Sequence, residues 1–416
     1  VLPRPPERSD PVNNSACNQP SGVNRFSEIW LMMALSYRIA PVAVFSTVSV
    51  NAPFPHYLSG QRLPELDRLS KPQTICVMRL SAIGDTCHAL AVIRRLQDNW
   101  PDAQITWIIG KTEASLMSGI PDIDFVVFDK SLGLRAYGDA RAQLRGKRFD
   151  VALCMHASLR ANLLIPSIPA GIRLGFDKAR AKDYQWLFTN RRIDAVQGEH
   201  AMEAMMSFAT NIGALERPLR WDIPLPAEDR DFARRFTDDD RPLVLISPCS
   251  SQRARNYRNW DLQNYAATVE HLESQFDARI VLTGGPSDLE KEYGAALALD
   301  SDAENLVART TLKQLAALIA AADLVICPDS GPAHMATALG TAVIGLYATS
   351  NPDRTGPYNS KKLTINRYPD AIRRYLDKNV ADVAWGERVR DPEAMNLITV
   401  PDVLHNIDNF FQERGN

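Results

Sequence analysis

From residue 72 onward, short runs of apolar and β-branched residues alternate with longer stretches whose apolar residues recur every three or four positions. The runs in the first half are TICVM (74–78), ITWII (105–109), FVVF (125–128) and DVALCM (150–155). Short β-branched runs indicate strands, and the recurrence between them indicates helices. Because strands that alternate with helices form parallel sheets with both faces covered, the pattern predicts an α/β fold.

The alternation stops at residues 216–242, where four prolines and three consecutive aspartates indicate a domain boundary. It resumes with LVLIS (243–247), RIVLT (279–283), DLVIC (323–327) and AVIGLY (342–347). We therefore expect two Rossmann-like domains in tandem with a cleft between them. We expect an N-terminal domain at residues 72–225 and a C-terminal domain at residues 226–397. A C-terminal helix at residues 398–416 is expected to pack back on the N-terminal domain.

Residues 1–71 lie outside this pattern. Pro, Asn and Ser dominate residues 1–24, so we expect disorder there. The stretch 29–50 is long and apolar enough to span a membrane, but Arg38 and Pro41 lie in its middle. A central Arg costs about 2.5–3.5 kcal/mol on insertion scales. We therefore predict a poorly ordered or weakly associating extension, with a membrane anchor as the alternative.

The overall charge of the chain is close to zero: 47 basic against 49 acidic side chains, a net charge of −2. This balance argues against a general affinity for nucleic acid, so a polyanionic partner must be met by a local patch. The six cysteines are scattered without a CxxC pair. We expect a cytoplasmic protein with reduced thiols, and neither a disulfide framework nor a zinc site.

The sequence DSGPAHMATALG (329–340) stands where a predicted strand joins a helix. Pro332 falls near the first helical position, where a missing N–H is harmless, and Gly340 falls just past the helix end. Open parallel sheets bind ligands beyond the carboxyl ends of their strands. Since a helix begins there with free N–H groups and a partial positive charge, we predict a site for an anion such as a phosphate.

Neighbouring side chains suit such a site. Gly331 lets a phosphate approach the backbone closely, and Ser330 and His334 can hydrogen-bond to its oxygens. The alternative is that Asp329 and Ser330 only cap the helix while His334 only packs. Loops rich in Gly, Ser and Asp also follow other predicted strands in both halves, and this repetition favours the binding site.

The first predicted strand leads into RLSAIGDTCHALAVI (79–93), which contains one glycine, Gly84. A dinucleotide fingerprint requires G-x-G-x-x-G at this place, so the sequence argues against an NAD site. Asp85 stands where the loop turns into a helix. Its carboxylate is either a general base that takes a proton from an incoming hydroxyl or a helix cap, and the residues alone leave both open.

RLSAIGDTCHALAVI, SPCSSQ…YRNWDLQNYAA and PDSGPAHMATALGTAVIGLYATSNPDRTGPY resemble the ADP-heptose:lipopolysaccharide heptosyltransferases, glycosyltransferases with a GT-B fold. The likeness runs from about residue 72 to about residue 400. It implies transfer of heptose from ADP-heptose to an inner-core lipopolysaccharide acceptor, Kdo-lipid A or heptosyl, with Asp85 as the catalytic base. It also implies a donor site made of Ser250, Ser251, Arg258, Glu290, Asp329, Gly331 and His334, to which the residues at the helix start add Ser330.

Two of these donor positions keep alternatives. Family members often have Lys where this sequence has Arg258, which leaves Arg253 and Arg255 as substitutes. Glu292 is the alternative to Glu290 for holding sugar or ribose hydroxyls.

A metal site is not expected, because no DxD motif with a carboxylate cluster follows a predicted strand, and the DDD at 238–240 lies in the linker. A helix terminus and one or two cations can stabilise a departing diphosphate. We therefore predict metal-independent, inverting transfer without a cofactor, in which the nucleotide sugar is a substrate.

The acceptor side is predicted from charge. Residues 173–193 interleave basic with aromatic side chains, which suits an acidic glycolipid acceptor and peripheral contact with the inner membrane. A solvated charged helix and loop is the alternative. The candidate acceptor-binding residues are Arg160, Arg173, Lys178 and Arg180. Two further functions stay open, a sugar-nucleotide epimerase of the same fold and a non-catalytic nucleotide-sugar-binding protein.

Overall fold

The computed structural model describes residues 71–251 and 255–415. The predictions for residues 1–70 and the substitute cation Arg253 lie outside the described residues. Within the described ranges, no helix has both the length and the apolar character needed to cross a bilayer.

The first lobe is a parallel sheet of six strands with the order β3-β2-β1-β4-β5-β6. Its strands are β1 (Thr74–Met78), β2 (Gln104–Gly110), β3 (Ile123–Phe128), β4 (Phe149–Cys154), β5 (Ala170–Gly175) and β6 (Arg191–Arg192). Its helices are α1 (Ile83–Asn99), α2 (Lys111–Met117), α3 (Arg135–Gln143), α4 (Leu159–Asn162) and α5 (Ala201–Asn211).

The second lobe is a parallel sheet of the same size with the order β12-β11-β10-β7-β8-β9. Its strands are β7 (Leu243–Ile246), β8 (Arg279–Leu282), β9 (Glu304–Asn305), β10 (Leu324–Pro328), β11 (Ala342–Tyr347) and β12 (Ile365–Asn366). Its helices are α6 (Ala227–Arg234), α7 (Leu262–Phe276), α8 (Asp288–Leu297), α9 (Leu312–Ala321), α10 (Gly331–Leu339), α11 (Pro352–Thr355), α12 (Tyr368–Leu376) and α13 (Val400–Gly415).

Both lobes have the same topology. Counted within its own lobe, each sheet runs 3-2-1-4-5-6, the strand order of a Rossmann fold. In such a sheet the strand order reverses between the first and fourth strands, and ligands bind in the crevice beyond the carboxyl ends of these two strands. The predicted α/β class with two Rossmann-like domains is therefore confirmed, and β1, β4, β7 and β10 carry the two crevices.

The two lobes share a continuous apolar core. One cluster of buried side chains contains Val77 and Trp107 of the first lobe together with Ala317 and Met335 of the second. Lys313 on α9 reaches across and donates hydrogen bonds to the carbonyl oxygens of Ser118, at 2.9 Å, and Pro224, at 2.5 Å. The ends of the strands are thus held close enough for residues of both lobes to form one site.

The C-terminal helix α13 packs on the second lobe, so the prediction that it returns to the N-terminal domain was wrong. Its apolar stripe, which includes Val403 and Ile407, is buried in the cluster formed by Trp260 and Leu272. The Trp260 indole donates a hydrogen bond of 2.9 Å to the carbonyl oxygen of Ile398, at the start of this segment. The amphipathic pattern predicts a buried face, but it carries no information about which lobe covers that face.

Candidate active site

Asp85 lies in the first turn of α1, directly beyond the carboxyl end of β1. One of its carboxylate oxygens accepts a hydrogen bond of 3.3 Å from the backbone N–H of Ala82 and forms an ion pair with Arg79. Arg79 in turn donates a hydrogen bond of 2.6 Å to the carbonyl oxygen of Met155, at the end of β4. The carboxylate is therefore fixed at the crevice between β1 and β4, with about a third of its side chain exposed.

The pKa of Asp85 is set by opposing influences. Burial raises it, but the Arg79 guanidinium, with smaller contributions from His88 and His334, lowers it to about 2. The carboxylate is ionised throughout the physiological pH range. It also caps α1 through the hydrogen bond from Ala82, as one of the two alternatives for Asp85 predicts, and the role of general base stays a prediction.

The helix predicted at residues 332–340 is present as α10, with Pro332 in its first turn and Gly340 at its end in the left-handed conformation, with φ of 82°. Its amino-terminal end faces α1 of the first lobe. A Cβ added to Gly84 would come within 2.3 Å of the His334 ring, so only glycine permits this approach. Asp85 and the predicted anion site therefore lie on facing helix ends.

Three histidine rings lie at this contact between the lobes. His88 on α1 stacks edge-on against His334, with ring centroids 4.9 Å apart, and lies 6.0 Å from His200. His200 precedes α5; its Nδ1 accepts from the backbone N–H of Met202 at 3.1 Å, and its Nε2 donates to the carbonyl oxygen of Gly356 at 2.9 Å. Burial lowers the pKa of His200 to about 4 and the pKa of His88 well below its usual value. Both rings are therefore neutral at pH 7.

Asp329 closes β10 and is buried among positive groups. Its carboxylate accepts a hydrogen bond of 2.9 Å from the Ser350 hydroxyl, and it lies 3.3 Å from Arg258 and 3.7 Å from Arg388. Arg258 also donates to the carbonyl oxygen of Asp329 at 2.7 Å and to the Asn256 side chain at 2.6 Å. Asp329 thus holds two arginines, Arg258 and Arg388, beyond the carboxyl end of β10. Arg258 is the cation that best matches the family pattern in the sequence.

Arg354 on α11 is a third cation in this region. Its half-buried guanidinium packs against Gly386, where an added Cβ would come 3.4 Å from Nε. Burial lowers its pKa, while Asp85 of the first lobe and Asp329 of the second raise it. Among the described residues, no hydrogen bond or ion pair to its side chain is present. Its charge is therefore close enough to acids of both lobes to be influenced by them.

The remaining donor candidates follow β7, β8 and β10, in the loop or in the first turn of the next helix. Ser250 is buried and hydrogen-bonded to Asn259 and Asn256, whereas Ser251 is exposed. The Glu290 carboxylate accepts bonds from the backbone N–H of Gly285, at 2.7 Å, and from the Ser287 hydroxyl. The alternative, Glu292, is exposed on α8.

Ser330 and His334 offer unused hydrogen-bonding groups at the start of α10. The Ser330 hydroxyl lies beside the Cys327 thiol, and no described nitrogen or oxygen hydrogen-bonds to it. The buried Nδ1 of His334 likewise has no partner among the described residues. Gly331 lies against Ile83 of the first lobe, with 3.8 Å left for an added Cβ.

An open cleft of about 730 Å³ lies beside Asp85 in the first lobe. Arg160 lines it, together with two lysines that directly follow the second and third strands, Lys111 and Lys130. The sequence analysis did not predict either lysine as a site residue. The rule that ligands bind beyond the carboxyl ends of strands applies equally to β2 and β3 and could have identified them. Glu113 and Asp129 line the cleft as well, and Asp129 forms an ion pair of 2.9 Å with Lys111, so the cleft holds charges of both signs beside the Asp85 carboxylate.

The other predicted acceptor residues do not line this cleft. Arg173 is part of β5, where its Nε is buried. Arg180 forms ion pairs with Asp177 and Glu199, and Lys178 is exposed next to it. Of the four predicted acceptor residues, Arg160 lines the cleft beside Asp85. The predicted basic stretch, residues 173–193, consists of strand and loop.

A family model described as glycosyltransferase family 9 (heptosyltransferase) matches residues 139–376. The chain is 37% identical over 335 residues to the lipopolysaccharide core heptosyltransferase OpsX of Haemophilus influenzae, a match that covers 80% of this chain and 95% of the relative. The chain belongs to glycosyltransferase family 9. The resemblance seen in the sequence is thereby confirmed, and the protein is a glycosyltransferase.

More distant relatives have the same architecture. Lipopolysaccharide heptosyltransferase 2 of Salmonella typhimurium is 26% identical over 82% of this chain and 99% of its own length. A glycosyl transferase family 9 structure from Veillonella parvula matches with a TM-score of 0.66 at 20% identity, covering 83% of this chain and 98% of that one. Escherichia coli heptosyltransferase WaaC with ADP matches with a TM-score of 0.63 at 18% identity, covering 81% and 99%. These structures confirm the GT-B fold of this family 9 glycosyltransferase.

The neutral His200 makes folding stability depend on pH. Its pKa is lowered from 6.5 to about 4, so between these values the unfolded chain binds a proton that the folded chain does not. The free energy of unfolding is not reduced by this group well above pH 6.5. As the pH is lowered from 7 to 5, protonation of His200 in the unfolded chain reduces it by roughly 2 kcal/mol. His200→Asn keeps an acceptor for the Met202 N–H and does not titrate. We expect the free energy of unfolding, measured with urea, to fall less between pH 7 and pH 5 in the variant than in the parent.

His405→Asn, on the exposed side of α13, is the matched control and should have the pH dependence of the parent. An equal loss of stability on acidification in the parent and in His200→Asn would contradict this account of the histidine contact.

Proposed function

We propose that this chain transfers heptose from ADP-heptose to the inner core of lipopolysaccharide, with Kdo-lipid A or a heptosyl residue as acceptor. The observation that carries the proposal is the meeting of the Asp85 carboxylate with the amino-terminal end of α10 across the lobe interface, in a family 9 chain. The match to 95% of the length of the lipopolysaccharide core heptosyltransferase OpsX supports the same substrates.

Asp85 is the proton acceptor in this proposal. A carboxylate with a pKa of about 2 is a weak base toward a free alcohol. As the acceptor oxygen bonds to the anomeric carbon, however, its proton becomes strongly acidic and passes to a nearby carboxylate late in the step. The ion pair with Arg79 holds Asp85 in its ionised form and fixes its direction.

The donor diphosphate takes up negative charge as the bond to the sugar breaks. The N–H groups at the start of α10, with Ser330 and His334, supply hydrogen bonds to it. Arg258, Arg354 and Arg388 supply positive charge without a proton transfer, which is the electrostatic stabilisation that such a leaving group requires. Displacement from the side of Asp85, with the diphosphate opposite, inverts the anomeric centre, and on this proposal no metal takes part.

The acceptor occupies the cleft beside Asp85. Lys111, Lys130 and Arg160 line it and suit the carboxylates and phosphates of an acidic glycolipid. Because this acceptor is built at the cytoplasmic face of the inner membrane, we place the protein in the cytoplasm with peripheral contact at that face.

Incubation of the purified chain with ADP-heptose, with and without a Kdo-containing acceptor, tests the proposal. ADP release that requires the acceptor is the expected result. Release of a free epimeric sugar would instead indicate the epimerase, and binding without turnover would indicate a nucleotide-sugar-binding protein.

Replacement of the proposed base should separate chemistry from binding. Asp85→Asn keeps the hydrogen bond from Ala82 but cannot take the proton, so kcat should fall by about 10²–10⁴-fold. The Kd for ADP, measured by calorimetry, should stay within about twofold, because the variant leaves the donor contacts in place. Asp139→Asn, an exposed carboxylate on α3, is the control. A fully active Asp85→Asn enzyme would remove this residue from the mechanism.

Arg354 is expected to bind the diphosphate, because its charge has no partner among the described residues. Charge-assisted hydrogen bonds contribute about 1.5–3 kcal/mol, so Arg354→Gln should weaken ADP binding by about 10–100-fold. Binding of adenosine should change little. Arg309→Gln, an exposed arginine of the same lobe, serves as the comparison. Unchanged ADP affinity in Arg354→Gln would show that this guanidinium does not touch the diphosphate.

Arg160 should act on the acceptor side alone. Arg160→Gln removes one cation from the cleft and is expected to raise KM for the acceptor by about 5–10-fold while KM for ADP-heptose stays constant. Arg145→Gln changes the same charge at an exposed position outside the cleft lining. Equal effects of the two variants would mean that overall charge, and not the cleft, determines acceptor affinity.

A further inference from the structure

Large apolar side chains are exposed in one region of the first lobe. Of the eleven that the described residues expose, six belong to three segments of the first lobe, 132–134, 159 and 184–187, and the first two segments adjoin residues that line the cleft beside Asp85. These six, here called the apolar rim, are Leu132 (44% exposed), Leu134 (65%), Leu159 (38%), Tyr184 (50%), Trp186 (50%) and Leu187 (45%). Single exposed apolar residues are common, but a contiguous group marks an interaction surface.

The loop that carries Tyr184, Trp186 and Leu187 is firmly held. Gln185, between them, is fully buried; its amide donates to the carbonyl oxygen of Cys154 at 2.9 Å and accepts from the N–H of Phe176 at 3.0 Å. Tyr184 has a φ of 61°, a left-handed conformation that is unfavourable for a bulky residue. Anchoring of this kind holds the loop in the conformation that exposes the apolar side chains.

Hydrogen bonds connect the parts of the rim to one another and to the cleft. The Leu159 N–H donates to the Asp183 carboxylate at 2.9 Å, and the Tyr137 hydroxyl donates to the carbonyl oxygen of Arg160 at 3.1 Å. Ser158 and Arg160, on either side of Leu159, line the cleft. The exposed side chains therefore border the entrance through which the acceptor reaches Asp85.

Five exposed basic side chains lie around the rim, alongside the carboxylates of Asp129 and Asp183. Lys178 and Lys182 are exposed next to the 184–187 loop, Arg160 and Lys130 lie at the cleft entrance, and Arg135 follows Leu134. An apolar group of Trp, Tyr and Leu with lysine and arginine at its edge is the composition of a surface that lies on an anionic bilayer, since aromatic rings favour the headgroup region and basic side chains meet lipid phosphates.

We propose that the apolar rim docks on the surface of an anionic lipid bilayer. Leu159, Trp186 and Leu187 enter the headgroup boundary, and the neighbouring cations contact lipid phosphates. The cleft then opens toward the membrane, so the sugar of a lipid-anchored acceptor reaches Asp85 while its acyl chains remain in the bilayer. This last step rests on the function proposed above, whereas the docking itself does not.

Sedimentation with vesicles tests the docking surface directly. The full chain should bind vesicles of phosphatidylethanolamine and phosphatidylglycerol more tightly than vesicles of phosphatidylcholine, and salt should weaken this binding. The double variant Trp186→Ser/Leu187→Ser should lose at least about tenfold in vesicle affinity, because two large apolar side chains no longer leave water. Thermal unfolding of the variant verifies that it is folded.

Leu299→Ser is the matched control, because Leu299 is 79% exposed on the second lobe, away from the rim. Residues 29–50 are present in every variant, so differences between variants report the rim alone. Failure of the parent to bind anionic vesicles, full binding by the double variant, or an equal loss in Leu299→Ser would each overturn the proposal. Vesicle binding is measured without donor or acceptor, so its outcome is independent of whether heptose transfer is observed.

Discussion

The close approach of α1 to α10 is the constraint on which the site depends. Gly84 has no side chain, and this lets the His334 ring lie against the backbone of α1, where a Cβ would be 2.3 Å away. The contact brings the carboxylate of one lobe to the helix end of the other. Neutral His88 and His200 complete the packing, because two positive rings at these distances would repel.

Around that contact, the two lobes contribute opposite halves of the proposed reaction. The first lobe holds a carboxylate fixed by Arg79 and a cleft beside it. The second lobe holds a helix amino terminus and arginines gathered by Asp329. A base on one side and a charge-stabilised leaving group on the other are what displacement at a sugar carbon needs, so the family assignment and the geometry agree.

Much of this could be predicted from the sequence. The apolar runs locate eight strands within a residue or two, because buried parallel strands are continuously apolar, and the turn chemistry around Pro332 and Gly340 locates α10. They miss β5, whose first residues are partly exposed and which contains Arg173. The edge strands β6, β9 and β12 are two residues each, too short for a periodic signal. Arg388 lies in a long loop after α12, so its contact with Asp329 follows from tertiary packing alone. The same limit explains the wrong placement of α13.

The identical strand order of the two sheets has an evolutionary consequence. Each lobe presents its own crevice at the same topological position, so on the function proposed above the elements that bind acceptor and donor lie on separate sheets. Substitutions between residues 111 and 187 can therefore alter which glycolipid is accepted without disturbing the arginines near Asp329. A lineage that changes its outer envelope can in this way retain one sugar-donating machinery and diversify only the half that recognises the growing chain.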